Sequence, residues 1–125
     1  MKVTIWHDVE RDFQDRPLGM LDGYSPGHKV VAVFRYDEPD GTDPHEVANR
    51  AYHLFNVGDD PDYGVPDVRA VAYRAAENRS LSKGDIVQVD ELWLACARSG
   101  WDRVEPPADA LRVSTTHYGT TPLSA

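Results

Sequence analysis

The chain has 125 residues, 41% of them hydrophobic and 27% charged, with a formal charge of −8. That is the make-up of one globular domain with a modest core, and its sign disfavours non-specific binding to phosphate backbones. No apolar run approaches the ~20 residues of a membrane span, and the single cysteine, Cys96, excludes an intramolecular disulfide. Met1–Trp6 runs at once into His7-Asp8 and Glu10-Arg11-Asp12, unlike the apolar stretch of a signal peptide. A reducing cytoplasm is the expected compartment, with no membrane association.

In chain order, residues 2–6 alternate as a strand, with Val3 and Ile5 on one face and Thr4 and Trp6 on the other. Residues 7–28 read as a loop broken by Pro17, Gly19, Gly23, Pro26 and Gly27, with a helical turn near Leu18 to Leu21. His28 to Tyr36 is a β-branched, aromatic strand, expected at the sheet centre, with Val31 and Val33 opposite Val30, Ala32 and Phe34. Asp43 caps a helix with Pro44 at its first position and Glu46 in its first turn. Val47, Ala48, Ala51, Tyr52 and Phe55 form that helix's apolar stripe, and Gly58 ends it.

An acidic Pro/Gly loop over 58–66 leads to Asp67, a second cap. Val68, Val71, Ala72 and Ala75 recur at helical spacing, with Asn78 as the left-handed stop; Val71 and Tyr73 also suit a strand, so 67–77 stays open between the two. Asn78 to Asp85 is a polar turn with Gly84 at positive φ. It feeds a hairpin of Ile86–Val89 and Leu92–Ala97 joined at Asp90-Glu91. A third short strand follows Ser99-Gly100, and a helical turn is expected at Ala108 to Leu111. The expected fold is therefore α+β: a small antiparallel sheet with a C-terminal hairpin and one or two helices on one face. Residues 1–105 form the single domain and 106–125 a loosely structured tail. Phe34, Tyr52, Phe55, Val31, Val89 and either Trp93 or Leu92 are the expected core.

The helix ending in Phe55-Asn56, then Ser80-Leu81-Ser82, Asp85, a valine-rich strand and the closing Gly100-Trp101 resemble the YodL-like family of small domains. The order of elements matches over residues 1–105. The chain is also similar to small actinobacterial proteins with an Asn-Arg-Ser-Leu-Ser-x-Gly-Asp motif, here Asn78 to Asp85. It departs from the YodL-like pattern in having Asn78-Arg79 where that family has Gly-His, and in a longer insert between Asn56 and Ser80. The resemblance implies an accessory protein of a plasmid or other mobile element; it implies no particular reaction.

Ser80 and Ser82 are nucleophiles only if a base reaches them, and no histidine is near in sequence, so they read first as backbone caps. His45, Asn49 and His53 share a helical stripe, but no third ligand completes a metal site at known spacing. Cys96 reads as a small buried hydrophobe. Asn78, Arg79, Ser80, Ser82, Lys83, Arg98, Trp101 and Arg103 flank the hairpin ends and form the candidate binding site. Neither a catalytic set, a metal site nor a cofactor is expected. The functional expectation is a non-enzymatic binding module for a protein or nucleic-acid partner. The alternative is an acidic decoy that meets a DNA-binding or defence protein through Asp37, Glu38, Asp40 and Asp43 and through Asp59, Asp60, Asp62 and Asp67; a hydrolase ranks third.

Overall fold

A computed structural model describes residues 1–123. Strands β1 (Lys2–Asp8), β2 (Val30–Asp37), β3 (Ile86–Val89), β4 (Leu92–Cys96) and β5 (Trp101–Val104) form one antiparallel sheet in the order β2-β1-β3-β4-β5. Helices α1 (Leu18–Asp22), α2 (Pro44–Val57) and α3 (Val68–Ala75) complete an α+β domain. The long valine-rich β2 was expected at the centre. It lies at the sheet edge instead; β3 is the middle strand, and β1, between β2 and β3, buries all but its first residue.

The outer edge of β2 is covered instead by the C-terminal segment. Val113 N–H donates to Val30 O at 2.9 Å and Leu123 N–H to Ala32 O at 2.7 Å. Within the stretch 106–125, expected as a loosely structured tail, Val113 and Leu123 are thus held to the β2 edge. Both bonds are made by backbone, which composition does not report.

A bulge re-aims β2. Ile5 pairs with Phe34 and Trp6 with Ala32, leaving Val33 as the extra residue. Phe34 therefore turns to the same face as Val33, not the opposite one, and its ring meets Phe55 edge-on at 5.4 Å.

Asp43 caps α2 by accepting from His45 N–H, with Pro44 at the first turn and Gly58 as its C-cap. Val47, Ala48, Ala51, Leu54 and Phe55 are its buried face. Tyr52 was expected among them, but it turns outward and meets Trp101 edge-on at 6.5 Å. Leu54, one turn from Ala51 and Arg50, takes the core position.

The region 67–77 is helical, and Asp67 caps it through Arg69 N–H. Its expected stripe faces the wrong way for a core: Val68 is 81% exposed and Val71 47%, while Ala70 and Tyr73 are buried. The helix is rotated by the groups that anchor it. Tyr73 stacks on Phe55 at 4.6 Å, Arg69 reaches Glu38, and Arg74 donates to the Phe55 and Asn56 carbonyls. The left-handed residue after it is Glu77 (φ 65°), not Asn78.

The sheet thus has two unlike faces. One packs on α2 and α3 and holds Val3, Ile5, Val33, Val87, Val89 and Leu94. The other holds Trp6, Val30, Ile86, Trp93 and Ala95, with Tyr24 and Val104 against them. From β5 the chain crosses this second face and reaches β2 at the Arg112–Val30 bridge.

Candidate functional site

The eight residues singled out at the hairpin ends do not share one surface. Asn78 and Arg79 line a depression with Thr116 to Thr121. Lys83 and Arg98 line a smaller one of about 250 Å³, and Arg98 and Trp101 wall another of about 270 Å³ against Asn49 and Tyr52. Arg103 borders a separate groove with Trp93 and Arg112.

The stretch Asn78 to Asp85 is a junction tied inward. Asp85, 2% exposed, accepts from Asp8 N–H at 2.9 Å, from Ser82 N–H at 2.8 Å and from both terminal nitrogens of Arg79 at 2.6 and 2.9 Å. Burial opposes the charge on Arg79, but its hydrogen bonds and attraction to Asp85 outweigh that and raise its pKa. Leu81 is buried, its N–H donating to Asn56 Oδ1. Ser80 Oγ accepts from Arg74 rather than from a backbone amide. Asn78 Oδ1 accepts from Thr121 N–H, and its Nδ2 is buried without a partner. Gly84 takes φ +94°, and a Cβ there would lie 2.6 Å from Gly19 Cα, so its bare backbone lets α1 approach. Lys83 Nζ secures that approach by donating to Leu21 O at 2.8 Å.

Histidine chemistry at the junction is spent as well. Tyr73 O–H donates to Arg79 O at 2.5 Å, so its oxygen accepts from His7 Nε2–H at 2.6 Å. His7 Nδ1 is then the acceptor for Thr120 O–H at 2.7 Å. Burial lowers the His7 pKa to about 4, Asp85 opposing and Arg79 adding to the effect, so the ring is neutral near pH 7. A neutral ring with both nitrogens bonded has no lone pair to offer a substrate.

Among the described residues no histidine hydrogen-bonds Ser80, Ser82 or Cys96. The Cys96 thiol is pushed up to about 11 by burial, with Asp85 adding to it, which leaves it protonated and unreactive. No cluster of three or more His, Cys, Asp or Glu side chains is placed to hold a metal among these residues. No helix among them is long and apolar enough to cross a membrane.

A different set converges on the second sheet face. Lys2, Thr4, Trp6, Arg35, Gln88, Asp90, Glu91 and Arg112 line a groove of about 790 Å³ at the Lys2 end of β1. Trp6 lines it, its ring 5.3 Å from that of Trp93 in the neighbouring groove, and the Arg112 guanidinium, shared by both grooves, lies 4.9 Å from Trp93 and 5.8 Å from Trp6. Trp6 Nε1–H donates to Gln88 Oε1, and Arg35 Nε–H reaches Thr4 Oγ1 at 3.4 Å. Lys2 and Arg35 have no ion pair among the described residues.

The alternation of β1 already put Thr4 and Trp6 on one face. What sequence did not show is that Arg35 pairs opposite Thr4 and Gln88 on its other side, since those pairings join residues far apart in the chain. No family model, curated protein or solved structure matches the chain.

Proposed function

We propose that the protein is a non-enzymatic binding module whose open sheet face receives a carboxylate-bearing segment of a protein partner. The observation that carries this reading is the pair of cations, Lys2 and Arg35, left without ion pairs beside Arg112 in a chain of net charge −8. A guanidinium fork takes a carboxylate with two parallel hydrogen bonds, and Thr4 and Gln88 supply further polar contacts.

A nucleic-acid partner is served less well by this face. Stacking on a base needs an accessible ring, and Trp6 and Trp93 are only 8% and 4% exposed beneath Arg112. Binding is favoured over hydrolysis because Ser80 Oγ is held by Arg74 and the Asp85 carboxylate is engaged by Arg79 and backbone amides. The decoy reading loses weight because several of its acids already serve the fold: Glu38 is buried against Arg50 and Arg69, Asp59 faces Arg74, and Asp43 and Asp67 cap helices. A cytoplasmic accessory role on a mobile element rests on the YodL-like resemblance in Ser80-Leu81-Ser82, Asp85 and Gly100-Trp101.

The test follows tryptophan fluorescence while a blocked tetraglutamate peptide, or a thymidine oligonucleotide, is added. The peptide should change the emission saturably, Arg35→Ala should abolish the change, and the oligonucleotide should have no effect. Binding of the oligonucleotide alone, or an undiminished response in Arg35→Ala, would overturn the reading.

A further inference from the structure

The outward stripe of α3 has no role in the groove or in the core. Val68, Val71, Ala72 and Ala75 occupy i, i+3, i+4 and i+7, the spacing of a packing face, yet all four face solvent. The approach loop adds Tyr63, 64% exposed, and Val65, 96% exposed. An apolar stripe of this spacing on the outside of a folded domain marks a docking surface.

The charges around it select the occupant. The local cations are already engaged: Arg69 by Asp67 and Glu38, Arg74 by Asp59 and by main-chain carbonyls. Asp60 and Asp62 before the helix and Glu77 after it have no ion pair among the described residues. The uncompensated charge bordering the stripe is therefore negative. A second copy of the chain would bring these acids against themselves. A helix with an apolar seam and flanking lysines or arginines matches both the spacing and the sign, and the small Ala72 and Ala75 let its backbone come close.

We infer that the outer face of α3 docks a basic amphipathic helix of a partner protein. The probe is a four-turn peptide with leucines at one helical seam and lysines beside it, titrated into isotope-labelled protein and followed by amide shifts. Two controls accompany it: the same composition scrambled, and glutamate in place of every lysine. Saturable shifts confined to residues 63–77 are expected for the basic helix alone. Val68→Asp and Val71→Asp lie at exposed positions and keep the fold, and each should weaken binding about tenfold or more. Equal binding of either control peptide, shifts centred elsewhere, or affinity unchanged in Val68→Asp would overturn the inference. So would sedimentation showing a wild-type dimer that Val68→Asp converts to monomer, since a second copy would then occupy the face.

Discussion

The junction at Asn78 to Asp85 and the groove at the Lys2 end of the sheet are both rich in polar side chains, but they treat them oppositely. In the junction, Arg79 is held by Asp85, Ser80 by Arg74 and His7 by Tyr73 and Thr120. In the groove, Arg35 has one long bond to Thr4 and Lys2 has no ion pair among the described residues. Buried polar groups that meet internal partners stabilise the fold, because leaving any one of them unpaired is costly. Cations left facing solvent in a concave surface are available to a ligand. The contrast assigns the motif to architecture and favours the groove as the proposed recognition surface.

The contrast breaks most visibly at Asp85. Asp85→Ala leaves Arg79 buried without a counter-charge and should cost about 3–5 kcal/mol, measured by urea unfolding. A loss below that of an ordinary surface substitution would contradict the structural role of the junction.

Acid probes the same region through His7. Its folded pKa of about 4 lies below the ordinary 6.5, so between these values the unfolded chain takes up a proton that the folded chain refuses. Stability should fall as pH drops through that window, by up to about 3 kcal/mol. Unfolding curves between pH 7 and pH 4 check this, and His7→Gln should flatten the slope.

Smaller effects sharpen the picture along the turn. Gly84→Val places a β-branched side chain at φ +94° against Gly19 and should cost about 2–4 kcal/mol. Leu81→Ala empties a buried site for about 2–3 kcal/mol. Lys83→Ala removes one exposed hydrogen bond and should stay within about 0.5 kcal/mol. A thermal-melt series in which Lys83→Ala is the most damaging of the three would reverse the assignment.

What was legible in the sequence follows from the range of each signal. Caps are local, so Asp43, Pro44, Asp67 and the Asp90-Glu91 turn are readable from neighbouring residues. The inward aim of Leu81 and the positive φ of Gly84 are readable for the same reason: one lone apolar residue and one glycine in a polar run. Long-range facts were not readable. The place of β2 at an edge depends on β1 pairing next with the distant β3, and the aim of Phe34 depends on a bulge that periodicity does not reveal. The face that α3 buries is set by Tyr73, Arg69 and Arg74 finding distant partners, which overrode the apolar spacing of Val68, Val71, Ala72 and Ala75. Of the eight hairpin-end residues, Asn78 and Arg79, Lys83 and Arg98, Trp101, and Arg103 border different depressions, while Ser80 is taken up by Arg74. The groove needed three strands to assemble before Lys2, Arg35 and Gln88 became neighbours.

At the small end of the series, Arg35→Ala and Lys2→Ala should leave stability within about 0.5 kcal/mol of wild type, because neither side chain is anchored in the core. The central claim is tested most directly by one amide-shift titration of the labelled wild-type protein with the tetraglutamate peptide. The account predicts saturable shifts at Lys2, Thr4, Arg35 and Gln88, with residues 78–85 unmoved. Shifts centred on Asn78 to Asp85, with the groove silent, would contradict it.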